Sequence, residues 1–142
     1  MAYVKGDLGK KIEQLMETSN NQYNDKKYKE SVQILIQAWD FLPDGKNEYD
    51  ESYLIVWRIL DIAIKNQFFD IMKEWVDKIF DADPERPDTG EREMWAGRVA
   101  FELRETDKAF KYFSAANTKS TGRCFGNKDH KYFEFFMNEK AK

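Results

Sequence analysis

The chain has 142 residues, 42% of them hydrophobic, 15% aromatic and 35% charged, a composition too rich in core-forming side chains for a disordered segment and of a size for one ordinary domain. Lys and Arg total 23 against 26 Asp and Glu, so a formal charge of −3 supplies no global field that would draw the protein onto nucleic acid or an anionic membrane. A single cysteine, Cys124, excludes an internal disulfide, and a single histidine, His130, leaves too few soft ligands for a structural zinc site; no metal or other cofactor is expected.

The opening residues, MAYVKGDLGKKIEQLM, carry no apolar run and no small-residue cleavage pattern, so no secretory signal is visible and a cytoplasmic protein is expected. Beyond them apolar residues recur at three and four, and strand-type alternation is absent. The spacing predicts helices at about 8–23, 27–41, 50–66, 69–82, 90–104, 107–120 and 129–139. Pro43, Pro84 and Pro87 all fall between these segments, where helices end. The most apolar stretch, Tyr53 to Ile64, is broken by Arg58 and Asp61 and is shorter than the roughly 20 residues of a membrane span, so it reads as a core helix. Asp88 stands three residues before Glu91, as in a capping box, and Thr106 or Asp107 suits the start of the next helix. Gly122 and Gly126 bracket a turn around Cys124 and Phe125, after which Asp129 can cap a short helix whose apolar face is Tyr132, Phe133, Phe136 and Met137.

One spacing occurs twice without a gap: Tyr28, Ser31, Leu35, Ala38, Pro43, and again Phe69, Met72, Val76, Ile79, Pro84. A third copy without proline has Ala109, Phe113 and Ala116, preceded by Gly97 where two paired helices need close approach. The pattern resembles the tetratricopeptide repeat, in which a small residue lets the second helix of a pair lie on the first, a large one wedges between pairs and the proline ends the helix. The copies are offset by 41 and then 37 residues, from Ala38 to Ile79 to Ala116, so their loops are longer than in the usual repeat of about 34 residues. Leu15 and Gly97 fit the first-helix pattern, whereas Ser19 and Leu60 stand where the family prefers glycine or another small residue. The resemblance implies a single all-α domain over the whole chain: a stack of three antiparallel helix pairs (about 12–45, 53–86 and 90–121) closed by a C-terminal turn and capping helix at about 122–139.

In such a stack the first helix of each pair lines the concave face. Helical period then selects Met16, Asn20 and Tyr23; Leu54, Trp57, Asp61 and Ile64; and Met94, Arg98 and Phe101 as partner-facing residues. The 50–66 helix is apolar nearly all round, which implies that something covers its second face: the C-terminal helix, a partner, or a second copy of the chain. The carboxylate clamp of chaperone-binding relatives is not assembled, because Met16 stands where a lysine is needed beside Asn20, and Glu91 and Trp95 occupy the third-pair positions.

The ending, Gly122-Arg123-x-Phe125 followed by Asp129-x-Lys131-Tyr132-x-x-Phe135, looks like the close of small bacterial tetratricopeptide-like immunity proteins encoded beside polymorphic toxins. That resemblance implies a cytoplasmic inhibitor that binds one toxin domain, and it adds Arg123 and Lys131 to the partner-binding residues. Trp57, Tyr23 and Phe101 would anchor the partner, with Asp44, Glu48, Asp50, Glu51, Asp81, Asp83 and Glu85 as an acidic rim favouring a basic target. The alternative is a structural adaptor or self-associating scaffold, a homodimer with a second copy in the groove.

Catalysis is not expected. Cys124 and His130 are spaced to permit a thiolate–imidazole pair, but a small core cysteine and a solvated histidine describe them better. No phosphate-binding glycine loop is present, and the carboxylate pairs Asp81 with Asp83 and Glu91 with Glu93 read as solvated surface.

Overall fold

The computed structural model describes residues 3–82, 89–126 and 129–142, and the chain forms two compact units, Met1–Glu85 and Arg86–Lys142. Pro84, Pro87, Asp83, Glu85 and the capping Asp88 lie outside the described residues. All regular structure among the described residues is helical, as the spacing predicts. The first unit contains α1 (Gly6–Asn24), α2 (Tyr28–Phe41), a single 3-10 turn (Lys46–Glu48), α3 (Asp50–Asn66), α4 (Phe69–Trp75) and α5 (Lys78–Asp81). The second contains α6 (Glu91–Glu102), α7 (Thr106–Ser120) and α8 (His130–Lys140).

Three helix hairpins, α1–α2, α3–α4 and α6–α7, reverse through the same turn. In each, one residue adopts the left-handed conformation: Lys26 (φ 64°), Gln67 (φ 57°) and Arg104 (φ 63°). The amide just after it reaches back to close the helix end, from Lys27 to the Gln22 carbonyl at 2.8 Å, Phe68 to Ala63 at 2.9 Å and Glu105 to Ala100 at 2.9 Å. This is the Schellman arrangement, which satisfies carbonyls that a helix end leaves unpaired. The same connecting residue then starts the second helix, its carbonyl accepting from Ser31, Met72 and Ala109 respectively. The three left-handed residues are offset by 41 and 37 positions, the spacing at which the sequence repeats. The repeat is therefore a repeat of backbone geometry as well as of residue type.

Within the first hairpin, the crossing of α1 over α2 is made by two serines with no exposed surface. The Ser19 hydroxyl lies 2.9 Å from the Ser31 carbonyl, the Ser31 hydroxyl 2.8 Å from the Ser19 carbonyl, and the two hydroxyl oxygens are 2.8 Å apart. Ser19 thus occupies the position of the expected glycine without strain, because its hydroxyl bonds across the contact that glycine would leave bare. Ile12, Val32, Leu35 and Ala38 complete the buried side of this pair.

In the second hairpin the positions 41 residues after Ser19 and Ser31 carry large side chains, Leu60 and Met72, both completely buried. Its second arm departs from the continuous 69–82 helix that the sequence predicts. Ile79 and Phe80 donate to Val76 and Asp77, three residues back, so the helix tightens there and separates α4 from α5. In the third hairpin Gly97 carries the close approach: a Cβ there would sit 2.5 Å from the Phe113 ring. Phe113 in turn is the centre of an aromatic cluster, with Phe125 at 5.5 Å, Tyr132 at 5.7 Å and Phe135 at 6.2 Å between ring centroids. Through that cluster α8 packs onto α6–α7 as a capping helix, with Met94, Ala109, Ala116 and Phe136 in the same core.

Several expected caps are replaced. Gly90 is the N-cap of α6, and Glu105 that of α7, neither with a side-chain cap; Thr106 and Asp107 lie inside the first turn. Asp129 does occupy the N-cap of α8, but its carboxylate accepts from the Gly126 amide (3.1 Å) and Arg98 (3.0 Å) instead of from its own helix.

Because Lys26, Gln67 and Arg104 hold a conformation that costs an L-residue about 1–2 kcal/mol, replacing each by glycine should raise stability by up to about 1 kcal/mol, the gain being partly offset by the freer unfolded chain. Gly97→Ala should lower it by about 1–3 kcal/mol through overpacking against Phe113. Urea unfolding midpoints measure both, and a fall in stability for the three glycine variants would contradict the shared turn.

Candidate functional site

The stripe selected by period on α3 is the one the fold leaves partly open. Leu54, Trp57, Asp61 and Ile64 are half-buried, while Tyr53, Ile55, Val56, Ile59, Leu60, Ile62 and Ala63 are buried on the remaining faces. Facing this stripe, α1 presents Met16, half-buried, and Asn20, exposed. Between them lies a cleft of about 710 Å³ lined by Met16, Asn20 and Leu54 together with Glu13, Glu17, Lys10 and Glu51. Further along the same two helices, Tyr23 stacks edge-on against Tyr28 at 5.2 Å, and Asp61 pairs with Lys65 at 3.0 Å. The Asp61 hydrogen bond, with a smaller contribution from nearby Tyr23, raises the Lys65 ammonium above its usual pKa.

One wall of the cleft comes from a segment the sequence did not single out. Tyr3–Lys5 precedes α1; Lys5 is extended, and Gly6 (φ 72°) turns the chain into the helix. The Val4 amide donates to both oxygens of the Glu51 carboxylate, at 3.0 and 3.2 Å. Its carbonyl lies directly over Gly9, where a Cβ would stand 2.1 Å from the Val4 oxygen. Glu51, expected in an exposed acidic rim, is instead 6% exposed. Of that rim, Asp44, Glu48 and Asp81 are exposed, Asp50 is half-buried, and Asp83 and Glu85 lie outside the described residues. The glycines at positions 6 and 9, at the start of a helical pattern, were the sequence signal for this seat: helix interiors disfavour glycine unless backbone passes close by.

In the second unit, most partner-facing residues read from the sequence turn toward the chain's own C-terminal helix. Met94 is 3% exposed and belongs to the core. Phe101 packs edge-on against Tyr132 at 5.3 Å and Phe135 at 5.2 Å. Arg98 lies over the Trp95 ring, 4.6 Å from its centroid, and its guanidinium bonds Asp129. Lys131 is ion-paired with Glu102. Of the twelve, Arg123 alone in this unit is exposed without such a tie among the described contacts; it lines a second hollow of about 550 Å³ with Arg98, Lys119, Trp95 and Cys124. Glu93, read as solvated, is buried at 6% exposure and pairs with Lys119 at 3.2 Å, whereas its companion Glu91 is exposed.

Charge divides unevenly between the units. Met1–Glu85 contains 11 Lys and Arg against 17 Asp and Glu, a formal −6; Arg86–Lys142 contains 12 against 9, a formal +3. The near-neutral total conceals this contrast.

Burial raises the Cys124 thiol pKa, against a smaller opposing effect of Ser120, and leaves less thiolate at neutral pH. His130 is exposed. No three His, Cys, Asp or Glu side chains among the described residues gather as metal ligands, and no helix there is long and apolar enough to cross a membrane. Comparison of the chain with protein-family models and with curated proteins finds no match.

Tyr132 carries a marked upward pKa shift, caused first by burial and then by the Glu102 charge. A raised folded-state pKa means that the stabilisation from the neutral phenol is complete below the unfolded value of about 10 and lost as pH climbs above it. The wild type should therefore unfold in alkali at lower pH than Tyr132→Phe; coincident transitions by circular dichroism would show that the phenol is not held in the core.

Proposed function

We propose that this chain is a protein-binding module of the inhibitor type, and that it holds a basic segment of its target in the α1–α3 cleft. The observation that carries the reading is the chemistry of that cleft: a lining that combines apolar Met16 and Leu54 with three carboxylates, Glu13, Glu17 and Glu51, against one cation, Lys10, in a unit with a formal charge of −6. Apolar contact flanked by like charges suits a cationic chain whose aliphatic stems pack below and whose charged ends reach the rim. The repeated hairpins support a tetratricopeptide-like framework, in which first helices line the binding face. Together with the resemblance of the C-terminal segment, this favours a toxin domain as target and an immunity-type role in the cytoplasm. Of the expected anchors, Trp57 and Tyr23 are half-buried in the same unit, outside the cleft lining.

The test is titration of the purified chain with the C-terminal domain of the protein encoded immediately upstream. A tight complex that protects cells co-expressing both is expected, and Glu13→Lys combined with Glu17→Lys should weaken it roughly tenfold or more with helicity unchanged. Absence of a complex, or indifference to the double charge reversal, would remove the cleft as the binding site.

A further inference from the structure

Two independent features in the first unit are shaped around the backbone of Val4. Gly9 leaves room for its carbonyl where any β-carbon would collide at 2.1 Å, and Glu51 turns a nearly buried carboxylate toward its amide. A carboxylate can accept about four hydrogen bonds, yet among the described residues this amide is the one donor that Glu51 has. The segment is otherwise lightly attached: Tyr3 is 62% exposed, Lys5 is exposed and Val4 is half-buried, so no side chain of the segment seals the cleft.

We propose that Tyr3–Lys5, which walls one side of the α1–α3 cleft, is a displaceable strap, a built-in competitor for Glu51 that keeps this carboxylate until an incoming lysine or arginine takes it from the Val4 amide. A cationic ammonium or guanidinium makes a stronger hydrogen bond to carboxylate than a neutral amide does, so the exchange runs toward the partner once a basic side chain reaches the seat. The strap also gives a buried carboxylate a donor while the cleft is empty of partner. This inference rests on the cleft being the binding site, and adds to it the backbone donor that must give up Glu51.

The experiment uses the full-length chain and lysine hexapeptide as probe, with amide exchange at Val4 followed by NMR. The Val4 amide should be protected in the wild type and exchange about tenfold faster or more in Gly9→Ala, whose new methyl has Val4 as its nearest neighbour and leaves helicity intact. The hexapeptide should bind Gly9→Ala more tightly than the wild type by about tenfold, should strip Val4 protection from the wild type as it binds, and should bind Glu51→Gln weakly. Glu51→Gln keeps a carbonyl for the Val4 amide, so its own exchange separates loss of charge from loss of the strap. Unchanged Val4 exchange in Gly9→Ala overturns the strap, whatever the peptide does. Equal binding to wild type and Gly9→Ala with Val4 still protected overturns the competition and leaves the binding site standing. Binding to none of the three removes both.

Discussion

Two helices joined by a reversal this short must run close together from the turn onward, and the close approach has to be accommodated at whatever residues meet in the crossing. The left-handed residue at Lys26, Gln67 and Arg104 sets the direction in which the second helix returns. It does so with a side chain at each site that tolerates this backbone poorly, which implies that the packing beyond the turn outweighs the local strain. The three pairs then meet the requirement differently: by hydroxyls that bond across the contact at Ser19 and Ser31, by absence of a side chain at Gly97, and by two large buried residues at Leu60 and Met72. In the last, the returning arm is also the one that tightens and divides, into α4 and α5.

The third pair shows how an exposed repeat face is closed. Its first helix carries Met94, Arg98 and Phe101 at the spacing of a binding surface; α8 rings pack on Phe101, its N-cap Asp129 pairs with Arg98, and Met94 shares one core with Tyr132 and Phe136. The energetics are those of a core: burying a phenylalanine such as Phe113 in this setting is worth about 3–5 kcal/mol against its truncation to alanine, far more than the exposed ion pairs around it. A helix rich in Phe and Tyr serves this purpose because flat rings fill the space between neighbours while meeting edge to face.

Function in this reading follows from what remains uncovered. In the first unit, α3 keeps one half-buried stripe, and α1 keeps Met16 and Asn20 beside it. The carboxylates around the cleft belong to an acidic unit, so attraction for a basic chain and the shape that would hold it come from the same place. Glu51 joins the two: it stands in the first turn of α3, where a helix N-terminus favours negative charge, and it is the group to which the backbone wall of the cleft is bonded.

The sequence by itself determined that the chain is helical, nearly where each helix begins and ends, and that three hairpins repeat at offsets of 41 and 37, because these depend on spacing within single elements and on turn punctuation. It also grouped Leu54, Trp57, Asp61 and Ile64 on one face of α3, since a helix's period states which residues share a face. It could not say which face stays open. Met94 and Phe101 have the spacing of a binding surface, yet Met94 is buried in the core and Phe101 is half-covered by rings of a distant segment, α8. Glu51 and Glu93 look like surface charge in the chain and are buried because Val4 and Lys119 come to them from 47 residues earlier and 26 later. Which apolar stripe is covered, and which carboxylate is desolvated, is decided by contacts between residues far apart in sequence, and only the tertiary structure holds those.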